Sequence, residues 1–378
     1  MRTAPQGIDD ADVDIAIASV LRDDGTIAPA TGTPVSIETL VRGYREMRRL
    51  RLLDARMTLL QRQGRIGFYG PALGQEAVPV AAGLVLAAAD WVFPALREQG
   101  IMLVRGFPLR SFVAQLFGTS GDVLKGRQMP SHPSSRAVHQ VSWSSCVGPQ
   151  LSHAVGAAWA MRARGSTAIA VAFCGDGATS GADFHAAMTM AGLWRVPCVI
   201  VCQNNQWSIS VPTERQTASR TIAVKARAYG LPGLRVDGND LLALCGVLRD
   251  SFERARSGGG PTFVEAVTYR MGAHSTSDDP SRYRSAEEVE TWALKDPIGR
   301  LRTHLVAMNL VTVASDAAID AEFAAEIAEA VAEVEQMPPP ERASLIYDVY
   351  AQPPWHLREQ LRELQNVPTA PTQMNSRR

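Results

Sequence analysis

Two short stretches of this 378-residue chain carry residue types suited to holding a metal ion and a phosphate. They are Gly175-Asp176-Gly177 and, after 26 intervening residues (178–203), Asn204-Asn205. A carboxylate and an amide oxygen are hard oxygen ligands, and glycine permits the tight turn and close backbone approach that a phosphate needs. Magnesium keeps a near-octahedral oxygen shell and usually takes one or two carboxylates, with phosphate oxygens in other positions. Asp176, Asn205, a backbone carbonyl and a diphosphate would meet that demand. Either motif alone reads as a turn or a strand end. Together at this spacing they are rarer, and unaided they point to a metal-diphosphate site and to nothing narrower.

Elements on either side must bring the two motifs together. The apolar run Thr167 to Phe173 predicts a buried strand leading into Gly175, and Cys198 to Cys202 predicts the next, ending at Asn204-Asn205. A helix is predicted between them over Ser180 to Ala191. Beyond them come a helix over Ile222 to Tyr229, a strand over Leu234 to Val236, a helix over Leu241 to Arg256 and a strand over Thr262 to Tyr269. This alternation predicts an α/β fold with a doubly wound parallel sheet. Both motifs then sit at carboxyl ends of strands, where open α/β sheets bind their ligands. Upstream, Ser36-Ile-Glu-Thr starts a helix running to Gln63, with further helical patterns over Gly74 to Ala89 and Pro108 to Phe117. A polar loop, Arg270 to Arg284, precedes helices around Ala286 to Met308 and Asp316 to Glu335. Residues 1–35 read as an extended arm with little core, 36–350 as the main domain with helical additions, and 351–378 as a C-terminal helix and disordered tail.

Composition narrows the function classes. With 38 basic and 38 acidic residues there is no global field for nucleic acid, and the Arg45, Arg48, Arg49, Arg51 cluster reads as the wet face of one helix. Cys146, Cys174, Cys198, Cys202 and Cys245 lack CxxC spacing, so neither disulfides nor zinc are expected and a reducing compartment is. No apolar run approaches the roughly 18 residues of a membrane span. The start of the chain, crowded by Asp9, Asp10, Asp12 and Asp14, looks like neither a secretory signal nor a transit peptide, which predicts a bacterial cytoplasmic protein.

Gly175-Asp176-Gly177, 26 residues, Asn204-Asn205 matches the thiamin-diphosphate fingerprint of transketolase-like enzymes. Lys125-Gly-Arg-Gln-Met-Pro-Ser-His132 is similar to the stretch that carries an active-site histidine in alpha subunits of 2-oxo acid dehydrogenases. Tyr269-Arg270-Met-Gly-Ala-His274-Ser-Thr-Ser-Asp-Asp-Pro-Ser-Arg-Tyr-Arg284 resembles their active-site loop. The resemblance runs from about Gly43 to Tyr347-Asp-Val-Tyr. It implies the thiamin-diphosphate-binding, transketolase-like fold with N- and C-terminal helical extensions.

Residue by residue, the resemblance implies that Asp176, Asn205 and the carbonyl of Trp207 bind Mg2+, and that Gly175, Gly177, Ala178 and Ile209 line the diphosphate and thiazolium path. Arg97 matches the arginine on the diphosphate, a role its forked guanidinium suits independently. Ser145 and the backbone near Val147 match positions beside the aminopyrimidine, and Phe68 matches a substrate-pocket aromatic, although read alone it favours core. His132 and His274 are implied as proton carriers, since only imidazole titrates near neutrality without help. Leu96 departs from the family's usual tyrosine, and Gln203 stands where some branched-chain relatives have arginine. Ser275 and Ser277 lie near Arg270, Arg282 and Arg284, where an added phosphate could pair or repel; a plain ordering hydroxyl is the simpler reading.

The implied reaction is oxidative decarboxylation of a 2-oxo acid with transfer of the acyl group to the lipoyl arm of a dihydrolipoyl acyltransferase. A glutamate facing the aminopyrimidine belongs to a second domain for which this chain has no room, so the resemblance implies an α2β2 assembly whose beta subunit completes the site. His-Ser-Thr-Ser-Asp-Asp-Pro-Ser leans toward branched-chain substrates such as 2-oxoisovalerate, while Val211-Pro-Thr-Glu-Arg-Gln-Thr-Ala is similar to bacterial pyruvate enzymes, and acetoin remains a further choice. A non-catalytic thiamin-diphosphate-binding scaffold subunit is the reading from another class. A nicotinamide enzyme is disfavoured because no G-x-G-x-x-G follows the first predicted strand.

Overall fold

The computed structural model describes residues 15–27 and 35–368. Among these the strands are β1 (Ile17–Ala18), β2 (Trp91–Phe93), β3 (Ala170–Gly175), β4 (Cys198–Asn204), β5 (Trp207–Ser208), β6 (Val211–Pro212), β7 (Gly233–Asp237) and β8 (Thr262–Val267). The first half carries helices α1 (Ile37–Arg62), α2 (Ala77–Val85), α3 (Gln99–Val104), α4 (Leu109–Phe117), α5 (Pro149–Ala163) and α6 (Ala182–Trp194). The second half adds α7 (Leu241–Arg256), α8 (Ala286–Ala293), α9 (Pro297–Ala307), α10 (Val313–Glu335), α11 (Ser344–Tyr347) and α12 (Trp355–Asn366).

Six strands form one parallel sheet in the order β1-β7-β8-β4-β3-β2, and β5 and β6 pair as a separate antiparallel ribbon. β4 is central and β3 lies between it and the short edge strand β2; the side chains of both are apolar on both faces, the pattern a parallel sheet covered by helices on each side requires. Val171, Phe173, Val199 and Val201 face a core shared with α1, α2 and α7. Ala170, Ala172, Cys174, Cys198, Ile200 and Cys202 face the opposite core, filled by α5 and α6. The doubly wound arrangement expected from the alternation is therefore present.

Several elements differ from expectation. β1 and β2 escape periodicity because two or three residues show no period. The segment Ala223–Tyr229 is a 3-10 helix, and the stretch from Ala286 splits at Asp296, whose carboxylate caps α9 by accepting from Ile298 and Gly299 N–H at 3.0 and 2.8 Å. The N-terminal arm is not without core where it is described. Leu21 is fully buried, and the N–H groups of Val20 and Leu21 each donate to Asp240 Oδ2 at 2.6 Å. Asp240 Oδ1 meanwhile caps α7 through Leu242 and Ala243 N–H. The rest of the arm and the final tail lie outside the described residues.

The arginine cluster of α1 is not a wet face. Arg45, Arg48 and Arg49 pair with Glu322, Asp320 and Glu326 of α10, and Arg51 with the buried Glu76 and with Asp296. Four cations in one helix are thus a lateral seam, which a single-sequence reading cannot distinguish from a solvated stripe. All five cysteines are free, Cys146 exposed and the others buried.

Gly192 in α6 marks a close approach of backbones. A Cβ there would lie 2.2 Å from the Tyr229 carbonyl oxygen. Gly192→Ala is expected to cost about 1–3 kcal/mol through overpacking, read as a lowered midpoint in denaturant unfolding.

Candidate functional site

β3 ends at Gly175 and turns into a 3-10 helix, Asp176–Ser180, while β4, its neighbour in register, ends one residue before Asn205. Strand pairing thereby places Asp176 and Asn205 side by side. Asp176 is 2% exposed, and burial raises its pKa. Its Oδ2 accepts from Thr213 Oγ1 at 3.1 Å and Gln216 Nε2 at 2.8 Å, and among the described residues it forms no ion pair. A buried carboxylate held by neutral donors without a cation is costly unless a cation is part of the functioning site. The Asn205 amide is held at both ends: Nδ2 donates to Gln75 Oε1 at 3.0 Å and Oδ1 accepts from Trp207 N–H at 3.2 Å.

Gly177 has a steric reason. Its Cβ would fall 2.2 Å from Ser208 Oγ and 2.7 Å from Ser208 Cβ, so only glycine lets β5 close over this turn. Gly175 has none of that kind: its φ and ψ are extended and a Cβ would meet only open space, which leaves room for a ligand. Ala178 is buried in the same turn. On the other side, Gln206 and Ile209 both have left-handed backbones, with φ of 71° and 52°. For a β-branched residue such as Ile209 this is a strained conformation, of the kind that persists where surroundings over-determine it.

Arg270 supplies that determination. Its Nη1 donates to the Trp207 carbonyl at 3.2 Å, and Nη2 donates to the Ile209 carbonyl and the Tyr283 hydroxyl, both at 2.7 Å. The Trp207 carbonyl keeps a second lone pair for a metal ion. Arg97 is 5% exposed; its guanidinium donates to the carbonyls of Pro71 and His274 and contacts His274 Nδ1 at 3.3 Å. Glu98, pushed up to about 7 by burial, accepts from the N–H groups of Ala95 and Arg97 and so fixes the segment that aims Arg97. Burial, then mutual repulsion with Arg270, lowers Arg97 to about 10. Neither guanidinium has a carboxylate partner among the described residues. Two buried, like-charged forks beside a buried carboxylate fit a bound anion and a divalent cation together.

Because a guanidinium only donates, His274 Nδ1 is the acceptor and the ring hydrogen sits on Nε2. Burial first, then Arg97 and Arg270, push His274 down to about 4. The imidazole is therefore neutral at physiological pH without ligand, which corrects the expectation of a group titrating near neutrality. The backbone N–H of His274 donates to Asp278 Oδ2 at 2.7 Å, the oxygen that also accepts from Tyr283 Oη at 2.6 Å. Ser275 is buried, and its hydroxyl accepts from Ser277 N–H at 3.3 Å, the ordering role.

His132 is 3% exposed. Nδ1 donates to the Pro130 carbonyl at 3.0 Å, which leaves Nε2 to accept from Ser145 Oγ at 2.9 Å. Sequence reading singled out both residues without coupling them. Phe68 is half-buried with its ring 6.5 Å from that of His132, so it faces the histidine and is not core. The next residue, Tyr69, pairs with Thr276 through two hydrogen bonds of 3.0 and 3.2 Å, which ties the His132 side to the His274 loop. Val147 and Ile209, 71% and 52% exposed, are apolar lips without cover in this chain. Leu96 lies against Gly70, and Gln203 is buried with both amide atoms unpartnered. Gln75, Thr213, Gln216 and Ser208 were missed; isolated polar side chains carry no signal until the fold shows what they touch. Among the described residues no group of three or more His, Cys, Asp or Glu gathers as a metal cluster, and no helix is long and apolar enough to cross a membrane.

Fold and residue placement define the class first: a doubly wound α/β protein with Asp176 and Asn205 side by side at the carboxyl ends of two paired strands. Residues 44–343 match the family described as dehydrogenase E1 component. The chain belongs to that family, which is thiamin-diphosphate-dependent. It is 40% identical over 363 residues to the 2-oxoisovalerate dehydrogenase subunit alpha of Pseudomonas aeruginosa, spanning 94% of this chain and 88% of the relative. To the mitochondrial 2-oxoisovalerate dehydrogenase subunit alpha 2 of Arabidopsis thaliana it is 40% identical over 343 residues, 90% of this chain and 73% of the relative. The 3-methyl-2-oxobutanoate dehydrogenase subunit alpha of Mycobacterium tuberculosis is 47% identical over 273 residues, 72% of each chain.

Proposed function

We propose that this chain is the alpha subunit of a branched-chain 2-oxo acid dehydrogenase acting on 2-oxoisovalerate, with thiamin diphosphate and Mg2+ at the carboxyl ends of β3 and β4. The observation that carries the reading is charge placement: one buried carboxylate without a cation beside two buried guanidiniums without a carboxylate. Asp176, Asn205 and the Trp207 carbonyl hold the metal. Gly175, Gly177 and Ala178 line the diphosphate, and Arg97 donates to it. Ile209, Ser145 and Val147 border the remainder of the cofactor path.

Bound thiamin diphosphate supplies the electron sink for loss of carbon dioxide from a 2-oxo acid, the acyl group then passing to a lipoyl arm. This chain's residues orient and protonate. Neutral His274 offers its Nε2 hydrogen, and His132 Nε2 exchanges a proton with Ser145 Oγ. Phe68 beside His132 presents the apolar wall that a branched side chain needs. The names of the relatives support the substrate and the subunit role. A beta subunit in an α2β2 assembly covers the exposed lips at Val147 and Ile209, and a lipoyl-bearing dihydrolipoyl acyltransferase takes the acyl group. Residues 36–350 form the working domain, and the free thiols suit the reducing cytoplasm of a bacterial cell.

Coexpression with the beta subunit, followed by assay with thiamin diphosphate and Mg2+, tests this. The expected result is a kcat/KM for 2-oxoisovalerate at least about tenfold above that for pyruvate, the scale of a few methylenes in an apolar pocket, with no turnover by the alpha chain alone. Preference for pyruvate or acetoin would reassign the substrate. Failure to turn over any of the three would leave a scaffold subunit.

A further inference from the structure

Helix α8 carries no buried side chain, yet it grips the candidate site at two points. Glu288 Oε1 accepts from the Trp207 indole Nε1–H at 2.9 Å. Trp292, one turn on, stacks on Tyr269 with ring centroids 5.1 Å apart and an interplanar angle of 8°. Trp207 is the residue whose carbonyl is assigned to the metal in the proposed site, and Tyr269 is the last residue before the His274 loop. Further contacts converge on this pair. The Trp207 ring lies 5.4 Å from that of Tyr283, and the Arg284 guanidinium sits 5.4 Å above Tyr269 while Lys295 sits 5.6 Å above Trp292. The indole is thereby fixed at its nitrogen edge by Glu288 and along its ring by Tyr283. Its carbonyl is aimed in turn through Arg270.

We propose that Glu288 is a positioning residue: by holding the Trp207 indole it presets the metal-facing carbonyl and the root of the 270–284 loop before cofactor binds. The inference rests on the proposed metal-diphosphate site. A hydrogen bond to a charged acceptor that exists before the ligand arrives raises the fraction of binding-competent molecules, and apparent affinity scales with that fraction. Because α8 is half-exposed and contributes nothing to the cores, losing this contact acts on the site and leaves the fold intact.

The test uses the assembled alpha and beta subunits. Metal affinity is read by Mg2+ titration at fixed thiamin diphosphate, and loop order by the rate of tryptic cleavage at Arg282 and Arg284 without cofactor. Glu288→Ala is expected to weaken apparent Mg2+ affinity about tenfold and to speed cleavage, with an unchanged thermal midpoint and with cofactor restoring protection. Glu288→Gln keeps an acceptor for the indole and restores most of the affinity. Trp207→Phe removes the N–H but keeps the carbonyl, and combined with Glu288→Ala it adds nothing further. Wild-type Mg2+ affinity and cleavage in Glu288→Ala, or full additivity in the double variant, overturns the proposal. Asp176→Ala, run alongside, separates the two readings: if it too leaves metal-dependent binding intact, the site is misplaced and not merely the role of Glu288.

Discussion

Asp176→Ala is expected to lower the metal-dependent affinity for thiamin diphosphate at least about 100-fold, measured by calorimetric titration of the assembled subunits with and without Mg2+. The size follows from what the carboxylate does. In the proposed site it is the one anionic oxygen ligand among the described residues, and a divalent ion would lose both a bond and its charge partner without it. Asp176→Asn is the informative companion, since an amide of the same shape can still meet Thr213 and Gln216 but carries no charge. If the loss is electrostatic, asparagine behaves like alanine. The fold should survive both changes, because without a cation the buried carboxylate is itself unfavourable.

His274→Ala is expected to reduce kcat by about 10^2 to 10^4 in the assembled enzyme, the range for removing a positioned proton carrier, with substrate KM changed far less. The state of the imidazole gives a second readout. Without ligand it sits at about 4, held down by burial and by Arg97 and Arg270. Below its ordinary value of 6.5 the unfolded chain takes up a proton that the folded chain refuses. The stability contributed by neutral His274 is therefore lost as pH falls from about 6.5 toward 4. A bound diphosphate offsets the two guanidiniums, so its pKa rises on cofactor binding. Imidazole proton resonances followed against pH, with and without thiamin diphosphate, would show that upward movement; an unmoved titration would place the anion elsewhere.

Much of this architecture is legible in one sequence, for definite reasons. β3 and β4 read as strands because a central parallel strand must be apolar on both faces, and α1 reads as a helix because Ser36 caps it, accepting from Thr39 N–H at 3.2 Å. Asp176 and Asn205 could be placed together since each ends one of two adjacent strands. The Ala-rich α5 begins at Pro149, a proline suited to the first turn. What stayed hidden depends on distant pairing. Arg270 reaches Trp207 across 63 positions, and Trp207 reaches Glu288 across 81, while Arg45, Arg48 and Arg49 of α1 find their acids 277, 272 and 277 positions away. No local pattern encodes such contacts. The depressed His274 is of the same kind: its titration is set by two arginines that only the fold assembles.

The reading stands or falls on metal and diphosphate sharing one site at Asp176 and Asn205. Replacing Mg2+ with Mn2+ in the assembled subunits and recording the electron-nuclear coupling of the metal to phosphorus tests this directly. Phosphorus coupling is expected on addition of thiamin diphosphate and is expected to be lost in Asp176→Ala and in Asn205→Ala. Bound manganese without phosphorus coupling, or coupling that persists in both variants, would contradict it.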